Sequence, residues 1–292
     1  MNFPKLCYSR VSLGLAAILA LSVATAAQDS QERPTLNKDK QQQQTQQPAT
    51  NTLSLETPGA PPASAEEDNA LKSLTAMPEG NATNLQAKID ATESFLQKYP
   101  QSRYRSIAYY FLTIANFQVG KADKGIDYGD KELELNPNDV ATMAILSQTM
   151  SRTNPAAADF TAKLAKAETL GKRAVEVTPT LPKPEGMTDE AFTSNKNQVL
   201  AIAHSGLGVV DWRRGKFSDA IPELEESVKL DPVADPVNWL VLGMVNQNTS
   251  HYDLAATAFS RCAAIASKQQ DTCKAKAEEA KKLAATKLSA PK

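Results

Sequence analysis

The strongest constraint in this sequence is a helix ending that occurs twice. The segments LELNPN at 133–138 and VKLDP at 228–232 share the same order of apolar, charged and Asx-Pro residues, and each proline lies 17 residues after a glycine, Gly120 or Gly215. Proline cannot continue a helix, and the residue before a proline avoids the helical conformation. The recurrence of one ending predicts a chain built from repeated helical units.

Hydrophobic periodicity supports the same interpretation. From about residue 80 onward the apolar residues recur at helical spacing, and long alternating patterns typical of strands are absent. With 292 residues, 41% of them hydrophobic, the chain can bury a sizeable core. We therefore expect an all-α fold.

The residues at the repeating positions resemble the tetratricopeptide repeat family, whose 34-residue unit has the pattern W-x2-L-G-x2-Y, then A-x3-F, then P. The matching residues are Leu207, Gly208, Ala220, Leu224 and Pro232 in 201–234; Trp239, Leu242, Gly243, Ala255 and Phe259 in 236–269; and Tyr109, Leu112, Gly120, Ile126 and Pro137 in 106–139. The resemblance implies a right-handed helix-turn-helix repeat solenoid that binds protein.

Two further units are degenerate, and the spacing of their final prolines predicts insertions between units. The resulting organisation is a signal peptide at 1–27, a disordered Gln/Pro-rich linker at 28–68, an N-terminal helical element with a degenerate repeat at 69–105, a repeat at 106–139, a degenerate repeat at 140–180, an insertion and helix extension at 181–200, repeats at 201–234 and 236–269, and a C-terminal capping helix at 271–289.

One repeat departs from the family at two positions of its second helix. Gly125 and Gly129 stand where the family has alanine and an aromatic residue. Since a missing side chain removes packing contacts, we expect this helix to pack less firmly than the others.

The N-terminus has the features of a secretory signal. Lys5 and Arg10 precede the apolar stretch Val11–Val23, and small residues follow, so cleavage is expected after Ala27 or after Ala26. The alternative is an uncleaved membrane anchor, although the apolar run is shorter than the roughly 20 residues that a span needs. We therefore expect an exported protein of the periplasm or cell envelope, attached to a membrane only through an uncleaved leader if at all.

Cys262 and Cys273 remain after removal of the leader. An even number of cysteines in an oxidising compartment permits a disulfide, which requires a turn between the two residues because eleven residues of continuous helix would hold them about 16 Å apart. The alternative is two separate buried thiols.

The first helix of each unit lines the concave surface in this family, and the resemblance implies that a partner binds there. The side chains on that face are Tyr110, Ile114, Phe117, Val209, Trp212, Arg213, Leu240, Met244 and Gln247. They are mostly apolar or aromatic, which suits a protein or peptide segment. The alternative is that these side chains are ordinary core.

The sequence gives little sign of other chemistry. The 32 basic and 33 acidic residues nearly balance, which gives no support to nucleic-acid binding. No zinc spacing, phosphate loop or nucleophile elbow is present, so no metal, cofactor or catalytic residue is expected. The predicted function is a noncatalytic protein-interaction scaffold of the bacterial cell envelope. The alternatives are an accessory subunit of an assembly, secretion or cell-wall machine and, with less support, an envelope hydrolase.

Overall fold

The computed structural model describes residues 57, 59–231 and 235–289, and these residues form α-helices and one short 3-10 helix without a strand among them. The predicted leader, most of the predicted linker and Pro232 lie outside the described residues. The helices are α1 (Ala65–Thr75), α2 (Ala82–Lys98), α3 (Arg105–Gln118), α4 (Ala122–Leu135), α5 (Val140–Ser151), α6 (Phe160–Val177), α7 (Asp189–Arg213), α8 (Phe217–Leu230), α9 (Pro236–Asn248), α10 (Tyr252–Ala263) and α11 (Gln270–Ser289), with the 3-10 helix at Thr178–Thr180.

Successive helices pack as pairs. The pairs α3/α4, α5/α6, α7/α8 and α9/α10 each form one repeat, and α11 packs on α10. Neighbouring pairs then bury their apolar faces in several clusters along the array, as expected for units that cannot bury these faces alone. The prediction of an all-α helix-turn-helix repeat array is confirmed.

The N-terminal boundary differs from the sequence prediction. Helix α1 begins at Ala65, inside the segment 28–68 that was predicted to be a disordered linker. The reason is a capping box: the Glu67 amide donates to the Ser64 hydroxyl, and the Glu67 carboxylate accepts from the Ser64 amide. This local signal outweighs the low hydrophobicity of the segment, and Leu71 and Leu74 of the helix then join the core.

Thr57 caps the N-terminus of helix α3, which lies far from it in the sequence. Helix α3 has no side-chain cap of its own at Tyr104. Instead the Ser106 amide donates to Thr57 Oγ1 at 3.3 Å, and the Thr57 amide donates to the Arg103 carbonyl at 2.7 Å. Thr57 thus supplies the N-cap of α3 from a separate part of the chain.

The expectation of looser packing at Gly125 and Gly129 is wrong. Both glycines are buried, and neighbouring side chains occupy the space that their own would take. A Cβ built at Gly125 would lie 2.3 Å from the Phe117 ring, and one at Gly129 would lie 2.8 Å from Leu146. The missing side chains allow a close approach between helices rather than leaving a gap.

Helix α5 lies at the centre of the array. All twelve of its residues are buried, and buried charged residues flank it at both ends: Asp139 is its N-cap and Arg152 its C-cap. A helix that is enclosed on every side is a core element. The first helix of the degenerate repeat therefore has no face left for a partner.

The second helices of neighbouring repeats are joined by polar side chains. Tyr128 of α4 donates to Glu93 of α2 at 2.7 Å, and Lys163 and Lys166 of α6 pair with Asp123 and Asp130 of α4. Exposed pairs of this kind contribute little energy individually. They show that the second helices of successive units lie side by side.

A disulfide joins Cys262 of α10 to Cys273 of α11, with their Cα atoms 5.8 Å apart. Both cysteines are fully buried, and the turn between the helices brings them together. The bond fixes α11 on the last repeat, where it takes the place of a further unit. No helix within the described residues is both long and apolar enough to cross a membrane.

Candidate functional site

The nine side chains predicted to line a groove lie on α3, α7 and α9, and the structure separates them into three groups. The first group is core. Tyr110 and Phe117 of α3 are 3% and 4% exposed, and Val209 of α7 is 1% exposed. In this structure these three side chains are core residues. Ile114 is partly buried and packs against the same core.

The second group is covered by the capping helix. Leu240 and Met244 of α9 pack against a cluster that includes Phe259 of α10 and Ala277 of α11. Gln247 Nε2 donates to Glu279 Oε1 of α11 at 3.1 Å. Helix α11 thus contacts this end of α9, while Leu240 and Met244 remain partly exposed.

The third group, Trp212 and Arg213, stays at the surface. Trp212 is partly buried and packs on the C-terminal core with its neighbours Phe217 and Trp239. The Arg213 guanidinium lies over the Trp212 ring, 4.7 Å from its centroid. This is a cation–π contact, in which the negative face of the ring attracts the charge. Burial lowers the pKa of Arg213, as expected for a charge that has lost part of its hydration.

The position of this pair follows from local structure. Trp212 and Arg213 are in the last turn of α7, and the chain turns immediately afterwards at Gly215, whose φ of 74° favours glycine. The next helix begins at Phe217. Both residues of the pair are partly buried.

The two histidines make structural contacts. His204 Nδ1 lies 2.7 Å from Glu223 Oε2, which joins α7 to α8 within one repeat. His251 Nδ1 lies 3.0 Å from Thr249 Oγ1 in the turn before α10. Within the described part of the chain, no three His, Cys, Asp or Glu residues are grouped so that they could hold a metal ion.

Sequence inspection missed a buried polar network around Arg152. Its side chain is 4% exposed; Nη1 lies 2.5 Å from Asp235 Oδ2, and Nη2 donates to Ser205 Oγ at 3.1 Å and to Asn238 Oδ1 at 2.9 Å. Burial alone would raise the pKa of Asp235, but the charge of Arg152 and the hydrogen bonds from Arg152 and the Val237 amide lower it below its ordinary value.

This network joins helices that are distant in sequence. Gln148 Nε2 of α5 donates to Ser205 Oγ of α7, which donates to Asn238 Oδ1 of α9 at 2.6 Å. Asn238 Nδ2 in turn donates to Ser227 of α8. The only signal in the sequence is that small polar residues occupy helix faces where the repeat pattern favours apolar ones, and the partner of each cannot be read from one helix.

Comparison with solved structures gives several chains of similar fold. They include "MamA RS-1 ArsTM double mutant", with 14% identity, a TM-score of 0.48, and coverage of 68% of this chain and 93% of that one. The thermophilic TPR protein TTC0263 of Thermus thermophilus has 18% identity, a TM-score of 0.48, and coverage of 73% and 98%.

A third similar chain is the assembly chaperone of RpL4, Acl4, with 13% identity, a TM-score of 0.43, and coverage of 67% of this chain and 74% of that one. No protein-family model matches the chain, and no curated protein matches it in sequence. At these identities the likeness concerns the fold alone. The assignment as a repeat array rests on the chain's own helix pairs and their recurring residues.

Proposed function

We propose that this repeat array is a noncatalytic scaffold of the bacterial cell envelope that binds a protein or peptide partner at the end of α7, around Trp212 and Arg213. The observation that carries the proposal is the stacked Trp212–Arg213 pair at the surface of the array. Tryptophan and arginine are enriched among residues that dominate binding energy in protein interfaces.

The burial of side chains on the other first helices limits where on these helices a partner can bind. The side chains of α5 are buried, those of α3 belong to the core, and those of α9 contact α11. Trp212 and Arg213 of α7 and the predicted contact residues of α9 keep some exposed area, and the stacked Trp212–Arg213 pair favours α7. The apolar Trp212 ring supplies contact area there.

The envelope location is supported by the sequence of residues 1–27, which has the charged, apolar and small-residue order of a secretory signal. The Gln/Pro-rich segment that follows would serve as a tether between the array and its surroundings. A fusion of the first 27 residues to a reporter that is active only after export tests this part directly.

The binding experiment is crosslinking in native cells followed by purification of the mature chain. Trp212→Ala is compared with wild type and with Leu254→Ala, a control that removes an exposed leucine, 53% exposed, from α10. We expect one partner to be recovered with wild type and Leu254→Ala and to be lost with Trp212→Ala. Circular dichroism and melting confirm that each variant is folded.

Equal recovery of the partner by a folded Trp212→Ala variant would show that binding occurs elsewhere on the array. Loss of helical structure in Trp212→Ala would show that the ring is a core residue. Arg213→Gln then provides a second variant, because it removes the guanidinium over the ring and leaves the Trp212 ring in place.

A further inference from the structure

Two carboxyl groups meet in the interior between α3, α4 and α5. Glu132 of α4 is 0% exposed, and Asp139, the N-cap of α5, is 5% exposed. Ser106 of α3 donates to Glu132 Oε1 at 2.7 Å. The amides of Ala141 and Thr142 donate to Asp139, each at 3.1 Å.

The second carboxyl oxygen of Glu132, Oε2, differs from Oε1 in its hydrogen bonding. Oε2 is buried and has no hydrogen-bond partner in this structure. A buried ionised carboxylate normally has all of its acceptor positions occupied by donors, because its loss of hydration is otherwise uncompensated. Oε2 is therefore the atom of this pair at which a proton is best accommodated.

Among the described residues, no positive charge compensates the pair. No described lysine, arginine or histidine forms an ion pair with Glu132 or Asp139. The other titratable groups nearby are Tyr110 of α3 and Glu79 of the α1–α2 connection, both acidic, and Glu79 is itself paired with Lys88 of α2. Two buried carboxylates with no counter-ion cannot both be ionised at reasonable cost.

The electrostatics agree with this geometry. Burial raises the pKa of Glu132 most strongly, the charge of Asp139 raises it further, and the result is a pKa of about 10 in spite of the opposing influence of the Ser106 and Thr142 hydroxyls. Burial also raises the pKa of Asp139, although Thr142, Ala141 and Glu132 act in the other direction. Glu132 is thus the member that carries the proton.

We propose that Glu132 and Asp139 hold one proton between them and that this proton is a built-in pH-sensitive lock that keeps the α3–α4–α5 layer closed. When the proton leaves, two negative charges face each other in the interior, and the layer loosens. The lock is a property of the fold and does not depend on the proposed binding of a partner at Trp212.

The sign of the pH effect follows from the raised pKa of Glu132. In the unfolded chain Glu132 ionises near its ordinary pKa, whereas in the folded chain it stays protonated. The stabilisation is therefore fully present below the ordinary pKa of glutamate and decreases as the pH rises toward about 10. Each pH unit in that window changes the folding equilibrium constant by up to about tenfold for one proton.

The lock also lies next to the contact that holds Thr57. The hydroxyl of Ser106 donates to Glu132, and the amide of Ser106 donates to Thr57. A displacement of Ser106 on loss of the proton would therefore weaken the cap that Thr57 provides to α3. Amide protection at Thr57, corrected for the intrinsic exchange rate at each pH, is a local reporter of this event.

The test is the pH dependence of unfolding in denaturant from pH 5 to pH 9. Glu132→Gln keeps the shape and a donor but cannot ionise, and Glu134→Gln on the exposed side of α4 is the matched control. We expect the folding equilibrium constant of wild type to fall relative to Glu132→Gln by up to about tenfold per pH unit. The control is expected to follow wild type.

Infrared spectroscopy of the wild-type chain provides a readout that does not require the variant to fold. A protonated carboxyl C=O stretch at neutral pH in the folded chain, absent after unfolding, supports the proposal. Parallel stability profiles of wild type and Glu132→Gln, or the absence of that stretch from the folded wild type at neutral pH, would overturn it.

Discussion

Each end of α5 buries a charged residue, and the two ends compensate the buried charge differently. At its N-terminus Asp139 faces another acid, Glu132, and at its C-terminus Arg152 faces an acid of opposite charge, Asp235. Both Asp139 and Arg152 are almost inaccessible to water. At the N-terminal end a proton neutralises one of the two carboxylates, so the pair can be buried. At the C-terminal end Asp235 balances the charge of the buried Arg152.

The buried charges at the two ends of α5 therefore respond to pH in opposite directions. The raised pKa of Glu132 makes the N-terminal end most stable in acid. The lowered pKa of Asp235 means that its contribution is present above the ordinary pKa of aspartate and is lost as the pH falls through the lower, folded value. The array should therefore lose stability at both extremes of pH, for different reasons.

The largest expected effect is at the C-terminal end. Asp235→Ala leaves the Arg152 guanidinium without its counter-ion in a site that is 4% exposed to water, and it also removes the side-chain acceptor of the Val237 amide. Breaking one half of a buried ion pair typically costs about 3–5 kcal/mol. Chemical denaturation at pH 7 measures the loss, with exposed Glu176→Ala as a control that should change stability by less than about 0.5 kcal/mol.

A double variant separates the charge effect from the loss of packing. Arg152→Met combined with Asp235→Asn removes both charges and keeps most of the volume. We expect it to recover a large part of the stability lost in Asp235→Ala. A double variant as unstable as Asp235→Ala would mean that the hydrogen bonds of Arg152 to Ser205 and Asn238, rather than its charge, dominate this end.

The second effect concerns the disulfide between α10 and α11. It tests whether the pH dependence of stability arises only from the charges beside α5. Removal of the Cys262–Cys273 disulfide by a double Cys→Ser substitution opens a short loop and should cost roughly 2–3 kcal/mol from the entropy of the unfolded chain. The stability loss is measured by denaturation, and the pH profile should keep its shape. A changed pH profile would indicate that the capping helix contributes to the charges around α5.

The third effect tests the carboxyl pair Glu132 and Asp139 at the N-terminal end of α5. Asp139→Asn keeps an acceptor for the Ala141 and Thr142 amides but removes the negative charge beside Glu132. Because Glu132 carries the proton at pH 8, the substitution removes the charged acceptor of that proton, and we expect a loss of about 1 kcal/mol at pH 8. Unfolding curves at pH 8 measure the loss; a gain in stability there would show that Glu132 is ionised and is repelled by Asp139.

The smallest effect provides a reference that involves no charge. Ser250 occupies the turn between α9 and α10 with φ of 61°, where the corresponding turns have Gly120 and Gly215 with φ of 77° and 74°. Ser250→Gly should stabilise the chain by roughly 0.5 kcal/mol, because glycine adopts this conformation without the steric cost that other residues incur. The gain should be the same at pH 5 and pH 8, and a gain that varied with pH would contradict a purely backbone origin.

The repeats and their turns could be predicted from the sequence because they are local. The Asn136-Pro137 ending, the small residue Gly208 and the turn at Gly215 each act within a few residues or between adjacent helices. Gly208 indeed allows close approach, since a Cβ there would lie 2.6 Å from Leu224. Such features recur with the repeat and are visible as a period.

The candidate site was only partly predictable for the converse reason. Whether Tyr110 or Trp212 is accessible depends on how far neighbouring units enclose it, and whether Met244 faces solvent depends on where α11 packs. Helical spacing gives the face of a residue but not what covers that face. The partners of Arg152 come from other helices and their flanking residues, and no single helix contains a pattern for them.

The Arg152 contact has a consequence for how the array unfolds. Arg152 belongs to the α5/α6 repeat and Asp235 to the α9/α10 repeat, so the interaction passes over the intervening α7/α8 unit. Arrays in which each unit touches only its neighbours can unravel stepwise from an end. A bond between units that are not adjacent ties three repeats into one cooperative block, so the C-terminal repeats should melt together with the centre rather than before it.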